Sequence, residues 1–194
     1  MGGTWRRDFD ADRLAALETL MWRAYYRKQG GLLFRLLVRA YREQAGVSFV
    51  RAVAASLLLA RAAIGFARST DEYDRFEPDI ARAYGLLGLE SEHAARVARR
   101  ELRWWVVRRE IGLAAGQEAG KAITALYAEL YEVPRGSVEQ AGALRGQAAE
   151  VRDRGATEDP DGPAGAGLTY WPEVARLLRE SYQSLRAAVA SGSV

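Results

Sequence analysis

Two segments of this chain carry a carboxylate, an indole and a long polar group at the same spacing: Glu18, Trp22 and Tyr25, then Glu101, Trp105 and Arg108. Positions i, i+4 and i+7 share one face of a helix, so each segment presents its three groups in a line. A carboxylate beside an indole and away from water has a raised pKa and can act as a general acid or base. Tyr25, Tyr26, Arg108 and Arg109 could orient it or bind an anionic group. The same residues would serve equally well as ion pairs where helices cross, and losing one partner of such a pair is destabilising in both cases. Glu18 and Glu101 are therefore the candidate catalytic residues. Trp22, Tyr25, Trp104, Trp105, Arg108 and Trp171 are the candidate lining for a small apolar or amphipathic ligand. The pattern predicts contact between the 18–25 and 101–108 faces. It also predicts that Glu101→Gln perturbs function more than Glu18→Gln, because more arginines lie within helical reach of Glu101.

Other chemistries are excluded by residue type. The chain has no cysteine, which removes thiol nucleophiles, thiolate metal sites and redox switching. With His93 as the single histidine, a Ser-His-Asp triad is not expected, and a pair of Glu-x-x-His helices cannot be assembled. Glu90 and His93 have that spacing, but Ser91 reads as a helix cap, which places Glu90 outside the helix and His93 in a solvated first turn. Carboxylates alone (Glu18, Glu101, Glu110, Glu118) would suit only hard ions, so no metal and no cofactor is expected. Asp71, Asp74 and Asp79 read as acids favoured at a helix start. Glycine-rich phosphate loops are absent.

The elements that position these groups are helical. Apolar residues recur at helical spacing almost throughout, and no segment alternates as a strand does. Asp10 caps a helix to about residue 29, where Gly30 and Gly31 end it; residues 32–44 follow, with Gly46 as the stop. Ser48 caps a helix over 48–68, expected to be the central buried one. Thr70, Asp71 and Glu72 mark another start, with either a kink at Pro78 or a helix beginning there. Ser91 opens the helix bearing Trp104 and Trp105, and Gly112 and Gly116 separate it from the next, which ends near Glu132. Ser137 and Gln140 form a capping box for a helix to about Arg154. Residues 155–167 read as a flexible loop, and Pro172 opens the last helix. The expectation is one all-α domain over 1–194, a bundle of seven or eight helices, large enough to bury roughly 70% of its unfolded surface.

Charge is uneven. Residues 1–70 hold 12 Lys+Arg against 5 Asp+Glu, and the remainder 16 against 20. The 32–44 segment sets Leu33, Leu36, Leu37, Ala40 and Tyr41 against Arg35, Arg39 and Arg42, a basic amphipathic pattern suited to an anionic membrane surface or a partner. The modest excess argues against nucleic acid. The N-terminal residues lack a signal-peptide pattern, and the longest apolar run, 52–60, is too short to span a bilayer, so a cytoplasmic location is expected. The sequence supports a helical binding or interaction protein with an apolar or amphipathic ligand in a Trp/Tyr-lined interior or groove. Two alternatives are a cofactor-independent acid/base enzyme using Glu101 or Glu18, and a structural homo-oligomer or membrane-surface scaffold.

Overall fold

The structure, a computed structural model, describes residues 5–110, 116–158 and 170–191. Among these residues there are eight α-helices and no strand: α1 (Ala11–Tyr26), α2 (Gly30–Ala45), α3 (Phe49–Arg68), α4 (Glu77–Leu86), α5 (Ser91–Glu110), α6 (Gly116–Tyr131), α7 (Arg135–Glu158) and α8 (Trp171–Ser191). A 3-10 turn, Tyr73–Phe76, precedes α4. Each helix packs on its neighbours in chain order, and α8 closes on α1. The bundle is thus an up-and-down ring of eight helices. Its middle is filled by large side chains reaching inward, including Phe9, Tyr84, Tyr127, Tyr131 and Tyr182.

One mouth of the ring is plugged by the segment before α1. Trp5 and Phe9 are buried there against Tyr131, and the Arg7 guanidinium donates to the carbonyls of Tyr131 (2.9 Å) and Val189 (3.0 Å). The other mouth gathers the C-termini of α1, α3, α5 and α7 and the N-termini of α2, α4, α6 and α8. Arg108 at the end of α5 pairs with Asp153 near the end of α7, and Trp105 stacks edge-on with Phe66 of α3.

Local chemistry explains several helix ends. The Asp10 carboxylate accepts from Arg13 N (3.0 Å) and caps α1 as expected. Ser48 caps α3, and Gly46 takes the left-handed conformation (φ +66°) that ends α2. Pro78 sits in the first turn of α4, where its missing N–H is harmless.

Five expectations are corrected. Gly30 and Gly31 begin α2 rather than end α1; Lys28 takes the left-handed turn between them (φ 56°). Ser137 is no cap: α7 starts at Arg135, directly after Pro134, and the Ser137 hydroxyl donates to the Pro134 carbonyl (2.7 Å). Residues 155–158 are helical, and Gly155 lies against the Tyr170 ring, where a side chain would collide. The rest of the expected 155–167 loop, like Gly112, lies outside the described residues. His93 is half-buried and hydrogen-bonded to the Glu129 carbonyl (2.7 Å), not solvated.

The fifth correction concerns α3, which is not the central helix. It buries Ala52, Ala55, Leu59, Ala62 and Phe66 and leaves Phe49, Val50, Leu57 and Ile64 exposed. The most enclosed helix is α6, whose buried residues include Ala119, Ile123, Leu126, Tyr127 and Leu130. Its closeness to α7 follows from glycine: Gly116 and Gly120 face Gly142 and Gly146, and the two backbones meet without intervening side chains.

Candidate functional site

Halfway through the ring, helices from every side turn a polar group inward. Glu18 comes from α1, Tyr41 from α2, Tyr84 from α4, Glu101 from α5, Tyr127 from α6, Arg145 from α7 and Tyr182 from α8.

Glu18 is 2% exposed and fully engaged. Its Oε1 accepts from Trp22 Nε1 (3.1 Å) and from Arg145 Nε (2.8 Å) and Nη2 (2.5 Å), and its Oε2 accepts from the Tyr182 hydroxyl (2.6 Å). Arg145 also lies over the rings of Trp104 and Tyr127, 5.9 Å from each centroid. Burial is the largest single influence and lowers the Arg145 pKa, but the Glu18 carboxylate together with Tyr127 and Tyr182 outweighs it and holds the guanidinium well above its ordinary value.

Glu101 repeats the motif with different partners. Its Oε1 accepts from Trp105 Nε1 (2.9 Å), so both sequence copies form the same Glu–Trp bond across one helical turn. Its Oε2 accepts from the Tyr84 hydroxyl (3.2 Å). No guanidinium reaches Glu101 in an ion pair among the described residues. Burial raises its pKa; Arg145, Trp105 and Tyr84 offset this in part, and the charge of Glu18 adds to it. The phenols share the enclosure. Burial pushes Tyr127 up to about 12, and burial with the Glu101 charge raises Tyr84 and Tyr41 further. These phenols therefore stay protonated, and Tyr84, like Tyr182, donates to a carboxylate. The Tyr127 hydroxyl is buried without a hydrogen-bond partner of good geometry, as is the Ser56 hydroxyl of α3.

A second polar tier lies about two helical turns nearer the other mouth. Asp153, 3% exposed, accepts from Arg108 Nη2 (2.6 Å) and Arg152 Nη1 (3.0 Å). Arg152 stacks over the Tyr26 ring, and Arg108 stands over Trp104. Arg109 lies over Phe66 and Tyr73 and donates to the Ser69 carbonyl (2.5 Å).

The two sequence faces therefore converge, but through α7. α1 packs along α2 and α8, and α5 along α4 and α6. Arg145 and Asp153 bridge between them. Trp22, Trp104, Trp105 and Arg108 lie in or beside these tiers. Tyr25 does not: it is 61% exposed and stacks on the outside of Tyr26. The inward row of α1 steps by four, through Leu14, Glu18, Trp22 and Tyr26, so the i+7 residue falls outside it. Trp171 is buried beside Tyr170 and Arg23, apart from both carboxylates. The expected advantage of Glu101 in arginine partners is reversed, since Glu18 holds Arg145. Sequence reasoning missed Arg145, Tyr41, Tyr84, Tyr127 and Tyr182. The usable signal was Arg145 itself, a cation flanked by the buried small residues Ala141, Ala148 and Ala149.

No group of three or more His, Cys, Asp or Glu side chains among the described residues could hold a metal ion. A surface concavity of about 380 Å³ lies elsewhere, between Arg100, Ala128, Glu129, Val133 and Arg135, and touches neither carboxylate.

The raised Glu101 pKa fixes a pH dependence. The protonated carboxyl suits the fold, so its contribution is complete below the unfolded value near 4.5 and is lost as pH rises through the folded value. Glu101→Gln mimics the protonated form: its carbonyl accepts from Trp105 and its amide donates to the Tyr84 oxygen. The variant should match the parent in denaturant midpoint at low pH and exceed it increasingly as pH rises. A difference that is constant with pH would contradict this.

Compared with known proteins, the chain matches no family model, no curated protein and no solved structure. What fold and site define is a class: an all-α ring with a polar tier enclosed at mid-depth.

Proposed function

We propose that this chain is a helical binding protein that takes a small amphipathic ligand between its helices, displacing some of the side chains that fill the ring. The ligand's polar end meets the mid-depth tier, and its apolar part lies along Trp22, Trp104 and Trp105. The observation that carries this reading is the tier itself, with the buried Tyr127 hydroxyl at its edge, near Ser181 and Arg145 but in no well-formed hydrogen bond. A core built only for stability would be at least as stable with apolar residues in place of a buried ion pair. An unmet buried hydroxyl costs about 1–3 kcal/mol unless a guest satisfies it. Clusters of shifted pKa values also favour functional sites over packing sites.

Native mass spectrometry of the freshly purified chain tests the reading. The expected result is a small molecule bound in unit stoichiometry, weakened or lost in Tyr127→Phe. If the parent carries no ligand, and none after incubation with a total lipid extract, the reading fails. Tyr127→Phe would then simply gain stability by deleting an orphan hydroxyl.

A second reading is supported by one observation, the enclosed Glu101 carboxyl with its raised pKa. In that reading Glu101 exchanges a proton with the bound molecule and no cofactor takes part. Glu101→Gln separates the two: a binder keeps its ligand, whereas an acid/base enzyme accumulates unreacted substrate.

A further inference from the structure

The outer face of α3 is the feature that the interior does not explain. Val50, Val53, Leu57, Ala60, Ile64 and Ala67 follow one another at steps of three and four, so they form a single stripe. Val50 is 74% exposed, Leu57 58% and Ile64 54%, with Phe49 beside them at 59%. The opposite face of the same helix is buried against the bundle. Among the described helices, α3 is the one long and apolar enough to cross a membrane, and only a third of that stretch is buried. Its flanking charges turn away from the stripe. Arg61 pairs with Asp79, and Arg51 donates to the carbonyls of Leu86 (2.8 Å) and Gly85 (3.4 Å), all on the α4 side.

Charge marks the neighbouring helix. Between Glu18 and Asp71 the sequence carries nine basic residues and one acid, Glu43, which is itself paired with Arg13. Arg35, Arg39 and Arg42 on the neighbouring helix α2, and Arg68 at the end of α3, are exposed and unpaired among the described residues. All the exposed large hydrophobic side chains of the described residues also lie in α1–α3, between Leu20 and Ile64. An apolar stripe roughly 25 Å long beside an unneutralised basic helix matches a surface whose apolar layer begins under anionic headgroups.

We infer that this protein docks on an anionic phospholipid bilayer with α3 lying flat in the interface, its outer stripe among the acyl chains and the α2 arginines on the headgroups. A second copy fits less well, because stripe-to-stripe packing would bring two such basic surfaces together with no acid to answer them. A spanning orientation would strip the inner face of α3 from the ring. The inference extends the membrane contact expected for α2 to α3, and it does not depend on what the interior holds.

Flotation of the full chain with vesicles tests it, using phosphatidylcholine alone or mixed equally with phosphatidylglycerol. The expected result is at least about tenfold tighter binding to the anionic vesicles, weakening with added salt. Leu57→Glu should abolish binding, while Arg35→Glu with Arg39→Glu should remove only the anionic preference. Because the chain has no cysteine, Ile64→Cys carrying an environment-sensitive dye gives a second readout that leaves the stripe largely intact. Its emission should shift to the blue on anionic vesicles. Absence of flotation and of the dye shift would overturn the inference. A dimer in sedimentation that Leu57→Glu dissociates, without vesicle binding, would overturn it in favour of a second copy.

Discussion

Glu18→Gln should cost the fold about 3–5 kcal/mol, the usual penalty for leaving a buried ion without its counter-charge. The amide can still accept from Trp22 and donate to the Tyr182 oxygen, so the loss is almost wholly electrostatic. Arg145 lies over two aromatic rings, and among the described residues no other carboxylate is in hydrogen-bonding contact with it. Melting by circular dichroism should fall by roughly 10 °C or more for a chain of this size. The double variant Glu18→Gln with Arg145→Met should recover most of that loss, because it removes both charges and fills the space with an apolar chain. A single variant that melts within about 2 °C of the parent would mean that water, not Glu18, holds Arg145.

The second large effect belongs to the α6–α7 contact. A methyl group at Gly146 would run into the Gly116 carbonyl and come within 2.7 Å of Gly120 N; one at Gly142 would lie 2.7 Å from the Gly120 carbonyl and 2.8 Å from Thr124 N. These neighbours are backbone and cannot rotate away, so the helices must separate. Each Gly→Ala change should cost at the upper end of the ~1–3 kcal/mol typical of overpacking. Gly136 provides the control. It lies in the same helix with open space around it, and alanine there should be neutral or stabilising by up to about 1 kcal/mol on helix propensity. Chemical denaturation of the three single variants checks the ranking. Equal midpoints for Gly146→Ala and Gly136→Ala would show that α6 and α7 do not approach so closely.

Because Arg145 and the α6–α7 glycines lie on the same helix, the two predictions are linked. If alanine at Gly146 pushes α7 outward, Arg145 moves from Glu18, and part of the electrostatic loss should appear in both variants.

What the sequence determined by itself was local. Helical periodicity, the Asp10 and Ser48 caps, Gly46 as a stop and Pro78 in a first turn all follow from a few neighbouring residues, and so does the all-α class. The Glu–Trp bonds of both copies belong here too, since i and i+4 meet on any helix. The tertiary structure decided which face each helix turns inward. Apolar content alone made the 48–68 helix look central, yet ring closure buries only one of its two apolar faces, and α6, with glycines that admit α7, is enclosed instead. The same closure brought Arg145 to Glu18 across 127 residues and Tyr182 across 164. It also turned Tyr25 outward and Tyr26 inward. A spacing rule can place two residues on one helical stripe. Which stripe faces the ring centre depends on how all eight helices share the buried volume, and a local pattern does not carry that information.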